Sequence, residues 1–186
     1  MLSIPSLWLP ILASAVAVFI VSSLVHMVLP WHKNDFRRLP NEDTVLDALR
    51  PLAIPPGEYL APRPEGRDQL RSPEFLEKLN RGPVFMLNMM PNGMMMTGRS
   101  LAQWFVFLLV VSYFAGHIAF RALTPPSPHH LIFHTVGLSA WMGYAFGLWP
   151  MSIWYRRPWM TTLKGTVDGF IYALITAGVF VWLWPK

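Results

Sequence analysis

The chain has 186 residues, enough for one compact unit rather than two soluble domains. Its hydrophobic fraction is 53% and its charged fraction 13%, about half the charged share usual in a globular domain. The net charge of +5 lies beside apolar blocks instead of forming a stripe that would follow nucleic acid, and the lack of cysteine excludes disulfides, thiolate ligands and a cysteine nucleophile.

The first apolar block runs over about residues 7–29 and ends at Pro30. No Lys or Arg precedes it and it is longer than the apolar core of a signal peptide, so it reads as a retained helix. Residues 30–100 then carry ten Lys or Arg against nine Asp or Glu, a nearly neutral connector. Within it, Asn41 to Arg50 reads as a short helix stopped by Pro51. Residues 51–64 are proline-rich and expected to be extended. Ser72-Pro73-Glu74, followed by an apolar pattern and Gly82, reads as a capped helix. Residues 82–98 are apolar but broken by Pro91-Asn92-Gly93, and are expected to lie in the membrane interface or against the bundle.

The second block covers about residues 101–123 and closes at Thr124-Pro125-Pro126; the third covers 131–149 and closes at Pro150. Residues 151–166 interleave Ile153, Trp154, Trp159 and Met160 with Arg156, Arg157 and Lys164, a mixture expected on an anionic membrane surface. The fourth block covers 167–184. Each block is close to the roughly 20 residues that cross a hydrocarbon core, where only a helix satisfies its own backbone. Trp8, Trp31, Trp104, Trp149, Trp182 and Trp184 fall near proposed helix ends, at headgroup level. The fold expected is an all-α membrane protein: one polytopic domain with four transmembrane helices and a long cytoplasmic loop holding short helices.

Orientation follows from basic residues. Lys33, Arg37, Arg38, Arg81, Arg99, Arg156, Arg157 and Lys164 lie near helix ends on one side, and only Arg121 and Lys186 on the other, which places both termini outside. For packing, Ser139, Gly143 and Gly147 recur at four-residue steps in the third helix, and Gly169, Ala173 and Ala177 in the fourth. Such small-residue stripes let helices approach closely in lipid and are expected to face each other, with a dimer face as the alternative.

Ionisable groups at membrane depth mark the candidate sites. His117 lies roughly 9 Å inside the second helix and His134 roughly 5 Å inside the third, both near the outer end. Two facing histidines are the minimum for axial haem ligation or a small metal site, although histidines near helix ends more commonly reach for water or bond a neighbouring helix. His26 and His32 with Asp35 form a second group, able to hold a divalent ion or simply to cap the helix exit beside Trp31. Lys164 with Asp168, and the pair Arg156-Arg157, are topology determinants that would also grip a lipid headgroup. Six of the eleven methionines fall between Met86 and Met96; thioethers suit copper(I), yet methionine is equally an adaptable packer. No serine-histidine-aspartate order or phosphate-cradling glycine loop occurs.

Two stretches, His26-Met27-Val28-Leu29-Pro30-Trp31-His32 through Leu39-Pro40-Asn41-Glu42 and Ser152-Ile153-Trp154-Tyr155-Arg156-Arg157-Pro158-Trp159 through Asp168-Gly169, together with Trp182-Leu183-Trp184-Pro185, resemble an uncharacterised family of small bacterial four-helix inner-membrane proteins. The likeness covers most of the chain. It implies a bacterial inner membrane and, since that family has no assigned activity, transfers no functional residue. The function expected is a non-enzymatic accessory or scaffolding subunit, with membrane lipid, other membrane proteins or a second copy as partners. A haem- or metal-binding redox protein using His117 and His134 is the alternative, and a small transporter or lipid-modifying enzyme with Arg121 and His117 lining a cavity is a further one.

Overall fold

The computed structural model describes residues 4–94, 96–123 and 126–185. Met95 of the methionine run, Thr124 and Pro125 of the turn after the second block, and Lys186 of the orientation count lie outside the described residues. In chain order the elements are α1 (Trp8–Met27), α2 (Glu42–Leu49), β1 (Gly57–Ala61), α3 (Pro73–Arg81), β2 (Phe85–Met89), α4 (Gly98–Ala122), α5 (His129–Ala145), α6 (Trp149–Tyr155) and α7 (Trp159–Leu183). The chain divides into two compact units, one of Met1–Arg37 with Met96–Lys186 and one of Arg38–Met95.

Four helices of the first unit are long and apolar enough to cross a membrane: α1, α4, α5 continuing through α6, and α7. Their inner faces form one core around Val18, Leu108, Ile132, Val136, Ala177 and Phe180, all buried. Many of their remaining large apolar side chains, such as Ile20, Val106, Phe114, Leu138 and Leu174, are exposed. That surface is incompatible with water and natural to lipid. Polar ties cross the bundle: Ser14 Oγ donates to Ser112 Oγ at 3.1 Å, and Trp104 Nε1 donates to Ser22 Oγ at 2.9 Å.

Two boundaries differ from the sequence reading. Pro150 does not end the third helix. Having no N–H to bond the Phe146 carbonyl, it tightens the chain into a 3-10 turn over Phe146–Leu148, after which α6 continues to Tyr155. Arg156 then adopts a left-handed conformation, φ 59°, that stops the helix. The fourth helix starts at Trp159, directly after Pro158, so residues 151–166 are two packed helix ends, with Ile153, Trp154, Arg156, Trp159 and Met160 exposed at the surface. Ser152 and Thr162 seal them with a buried hydroxyl contact of 2.6 Å.

The small-residue stripes are half corrected as well. On α7, Gly169 brings its backbone against α5, where an added Cβ would meet those of Ala145 and Tyr144 at 3.0 and 3.2 Å, and Ala177 meets Gly137. On α5, however, Gly143 faces Val111 of α4, and Gly147 has open space around it. The α5 face toward α7 is therefore the one bearing Gly137, Tyr144 and Ala145, because four-residue steps drift around a helix of 3.6 residues per turn.

In the second unit, α3 has the expected cap: Ser72 Oγ accepts from Phe75 N at 3.2 Å, and Gly82 follows at φ 62°. Helix α2 is likewise where the sequence puts it, entered through Asn41 in a left-handed conformation. The sequence reading has no strands here. The structure pairs β1 with β2 antiparallel, Gly57 opposite Met89 and Ala61 opposite Phe85, which places Met86 and Met89 of the methionine run in a ladder. Phe75 is the one buried apolar side chain among this unit's described residues.

The glycine with the closest neighbour generates a test. A Cβ on Gly116 of α4 would lie 2.5 Å from the ring of Phe180, a fully buried side chain of α7. Gly116→Ala is expected to destabilise the bundle by roughly 1–3 kcal/mol and lower its thermal midpoint in detergent, whereas Gly147→Ala melts with the wild type. Identical midpoints for all three proteins would contradict this packing.

Candidate functional site

At the end where α1 finishes and α7 begins, the chain gathers its buried charges. Leu29 is held extended by the proline after it, and Pro30 opens a 3-10 turn over Pro30–His32. The turn folds His32 back over the last turn of α1, where its ring stacks on that of His26 with centroids 4.2 Å apart and planes 24° apart. Asp35, whose N–H bonds the His32 carbonyl, then swings its carboxylate onto His32 Nδ1 at 2.6 Å.

Helix α7 supplies the opposing wall from one face. Lys164, Asp168 and Tyr172 recur every four residues, so they stand above one another. Lys164 Nζ donates to Asp35 Oδ1 and to the Trp31 carbonyl, both at 2.7 Å, and lies over the Trp31 ring, 5.5 Å from its centroid. Trp31 Nε1 donates to Asp168 Oδ1 at 3.1 Å. Asp168 Oδ2 lies 2.8 Å from His32 Nε2, within ion-pair distance, although neither atom makes a hydrogen bond.

The protonation of this chain of groups follows from Asp35. Burial pushes its carboxyl up, but hydrogen bonds from Lys164 and His32 outweigh that and hold it below the ordinary carboxylate range. An ionised carboxylate only accepts, so His32 donates through Nδ1. In a neutral ring Nε2 then carries the lone pair and faces Asp168 Oδ2; in the imidazolium the same contact is an ion pair. Two acceptors 2.8 Å apart repel unless a cation or proton joins them.

A cavity of about 380 Å³ opens on these groups, lined among others by His26, His32, Trp104, Arg157, Asp168 and Tyr172. Tyr172 adds another buried oxygen without a partner, its ring meeting those of Trp104 and Tyr144 edge-on. A larger cavity of about 840 Å³ at the opposite end is apolar, with His129 as its one titratable side chain.

The sequence-derived candidates separate accordingly. His26 and His32 are together, with Asp35 on the outer nitrogen of His32 and Asp168 at the third corner: one ligand atom from each of His26, His32 and Asp168 lies within 4.8 Å of the others. Lys164 pairs with Asp35 rather than with Asp168. His117 stacks on Tyr113 of its own helix, its Nδ1 buried without a partner. His134 is exposed and lines a shallow groove with Gly137, Trp141 and Phe170. Among the described residues no hydrogen bond or ring contact joins His117 to His134. Asp168 and Tyr172 are the participants that sequence reasoning did not assign to this site. The signal was present as the four-residue spacing from Lys164, but nothing local links that face to His32, 136 positions earlier.

Compared with models of known protein families, with curated proteins and with solved structures, the chain matches none.

The lysine clasp can be broken alone. Lys164→Met leaves Asp35 buried beside a single hydrogen-bond donor, and is expected to destabilise the bundle by roughly 3 kcal/mol, read as a lower thermal midpoint in detergent. Lys78→Met on the exposed face of α3 should melt with the wild type. A Lys164→Met protein as stable as the wild type would show that the clasp carries no weight.

Proposed function

We propose that this chain is a multi-pass protein of a bacterial inner membrane that binds a small polar ligand at the His32 end of its helical bundle. The observation that carries this reading is the convergence on one cavity of three buried polar atoms that make no hydrogen bond: His32 Nε2 and Asp168 Oδ2, which form only an ion-pair contact with each other at 2.8 Å, and Tyr172 Oη. Buried polar groups are almost always hydrogen-bonded, so three that face one cavity mark it as a place where a polar ligand finds bonding partners. The same end carries Lys33, Arg37, Arg99, Arg156 and Arg157, which supports a cytoplasmic mouth for the pocket.

A second reading, an accessory or scaffolding role, is favoured by the Arg38–Met95 unit. Among its described residues it buries only the apolar side chain of Phe75 while exposing Leu52, Val84, Met90 and Met94. A unit of that size with so small a core gains stability from a partner surface, whether another membrane protein, lipid or a second copy.

Native mass spectrometry of the full chain, released from mild detergent, tests both. The pocket reading expects a bound small species on the wild type that is lost from Asp168→Asn; a bare wild-type chain at all extraction conditions contradicts it. The accessory reading expects associated protein, and a solitary monomer contradicts that. Because the chain lacks cysteine, Arg156→Cys is a clean topology probe. It should react with membrane-impermeant thiol reagents only after the cytoplasmic side is opened, and labelling of intact cells would reverse the orientation.

A further inference from the structure

We infer that the species at the head of this pocket is a divalent transition-metal ion of the Zn2+ class, ligated by His26, His32 Nε2 and Asp168 Oδ2, with Asp35 positioning His32 from behind. This rests on the pocket reading above and adds to it the identity of the ligand.

The donor set points there first. Two imidazoles and a carboxylate are the ligands that borderline divalent ions prefer, and three protein ligands leave a coordination position open toward the cavity. Asp35 supplies the outer hydrogen bond that ligating histidines require: a carboxylate on Nδ1 fixes the ring orientation and, in the neutral ring, makes Nε2 the lone-pair nitrogen. Lys164 in turn holds Asp35, so the support reaches from α7 back to the ligand. The His32–Asp168 contact is then explained. At 2.8 Å these atoms are close yet form no hydrogen bond, an arrangement natural for two ligand atoms that share a common third point.

The distances require only small adjustment. Donors about 2.1 Å from a tetrahedral ion stand about 3.4 Å apart. His32 Nε2 and Asp168 Oδ2 would separate by roughly 0.6 Å, and the three donor atoms, now within 4.8 Å of one another, would draw together around the ion. Stacked rings must also splay so that both lone pairs converge. His26 is the ring able to turn, since it is exposed and makes no hydrogen bond among the described residues, whereas His32 is fixed by Asp35. Charge agrees: Lys164 is committed to Asp35 and the Trp31 carbonyl, which leaves Asp168 with a tryptophan N–H and no fixed cation within ion-pair reach. Arg157, on the same cavity wall, makes no ion pair among the described residues and suits an anionic group as the ion's remaining ligand.

The test uses the full chain in detergent, stripped with a chelator and titrated with Zn2+ and, as a visible probe, Co2+. The expected result is one ion per chain and a Co2+ absorption of four- or five-coordinate intensity. His26→Ala should abolish one-to-one binding while the ion-free protein keeps the wild-type thermal midpoint, because His26 contributes no hydrogen bond to the clasp. Asp35→Asn should bind about 10- to 100-fold more weakly and alter the Co2+ spectrum, the mark of a positioning residue. Failure of the wild type to take up either ion, or one-to-one binding unchanged in both His26→Ala and Asp168→Asn, overturns the inference. If no ion binds yet a small species remains on the chelator-treated chain and is lost from Asp168→Asn, the metal assignment fails and the pocket reading survives. If neither is seen, both fall.

Discussion

Two buried carboxylates govern this bundle. Asp35 and Asp168 are each less than a tenth exposed, at the mouth of a bundle whose helices are otherwise apolar. Ionised groups in such a place persist only when each is paired and hydrogen-bonded. Asp35 is satisfied completely, by Lys164 on one oxygen and His32 on the other; Asp168 is satisfied on one oxygen only. The asymmetry divides the cluster into a structural half that ties the exit of α1 to α7 and a half that still faces open space.

Other features of the fold serve that arrangement. Pro30 turns the chain so that His32 returns over His26. The early start of α7 at Trp159 puts Lys164, Asp168 and Tyr172 on one continuous helical face, and the Ser152–Thr162 contact anchors that early turn to α6. Gly169, adjacent to Asp168, lets α7 press against Ala145 and Tyr144, which brings the polar face close enough to meet the loop after α1. Two chain stretches, residues 26–42 and 152–169, thereby supply His26, His32, Asp35, Lys164 and Asp168 to a single site.

Long-range placement was the part the sequence could not express. Four helices were legible because twenty-residue apolar runs have one stable form in lipid, and α3 was legible because Ser72, Pro73 and Gly82 are local signals read within one turn. The β1–β2 pair was not: its strands are separated by α3, so no turn residue announces the pairing, and Gly57 to Ala61 sits in a proline-rich stretch. Pro150 misled because a proline can tighten a helix as well as end it. At the site, the grouping of His26, His32 and Asp35 could be read from their closeness in sequence. The contribution of Asp168 could not, since its partner is set by how two distant helices pack.

The protonation of His32 is where this account is most directly exposed. Nitrogen NMR of the histidine-labelled chain, with His32 assigned by substitution, reports which ring nitrogen carries the proton. The account predicts a proton on Nδ1, held by Asp35, and an Nε2 signal that shifts when Zn2+ is added. A ring with Nδ1 bare, or an Nε2 signal untouched by Zn2+, would contradict it and leave the cluster a purely structural clasp.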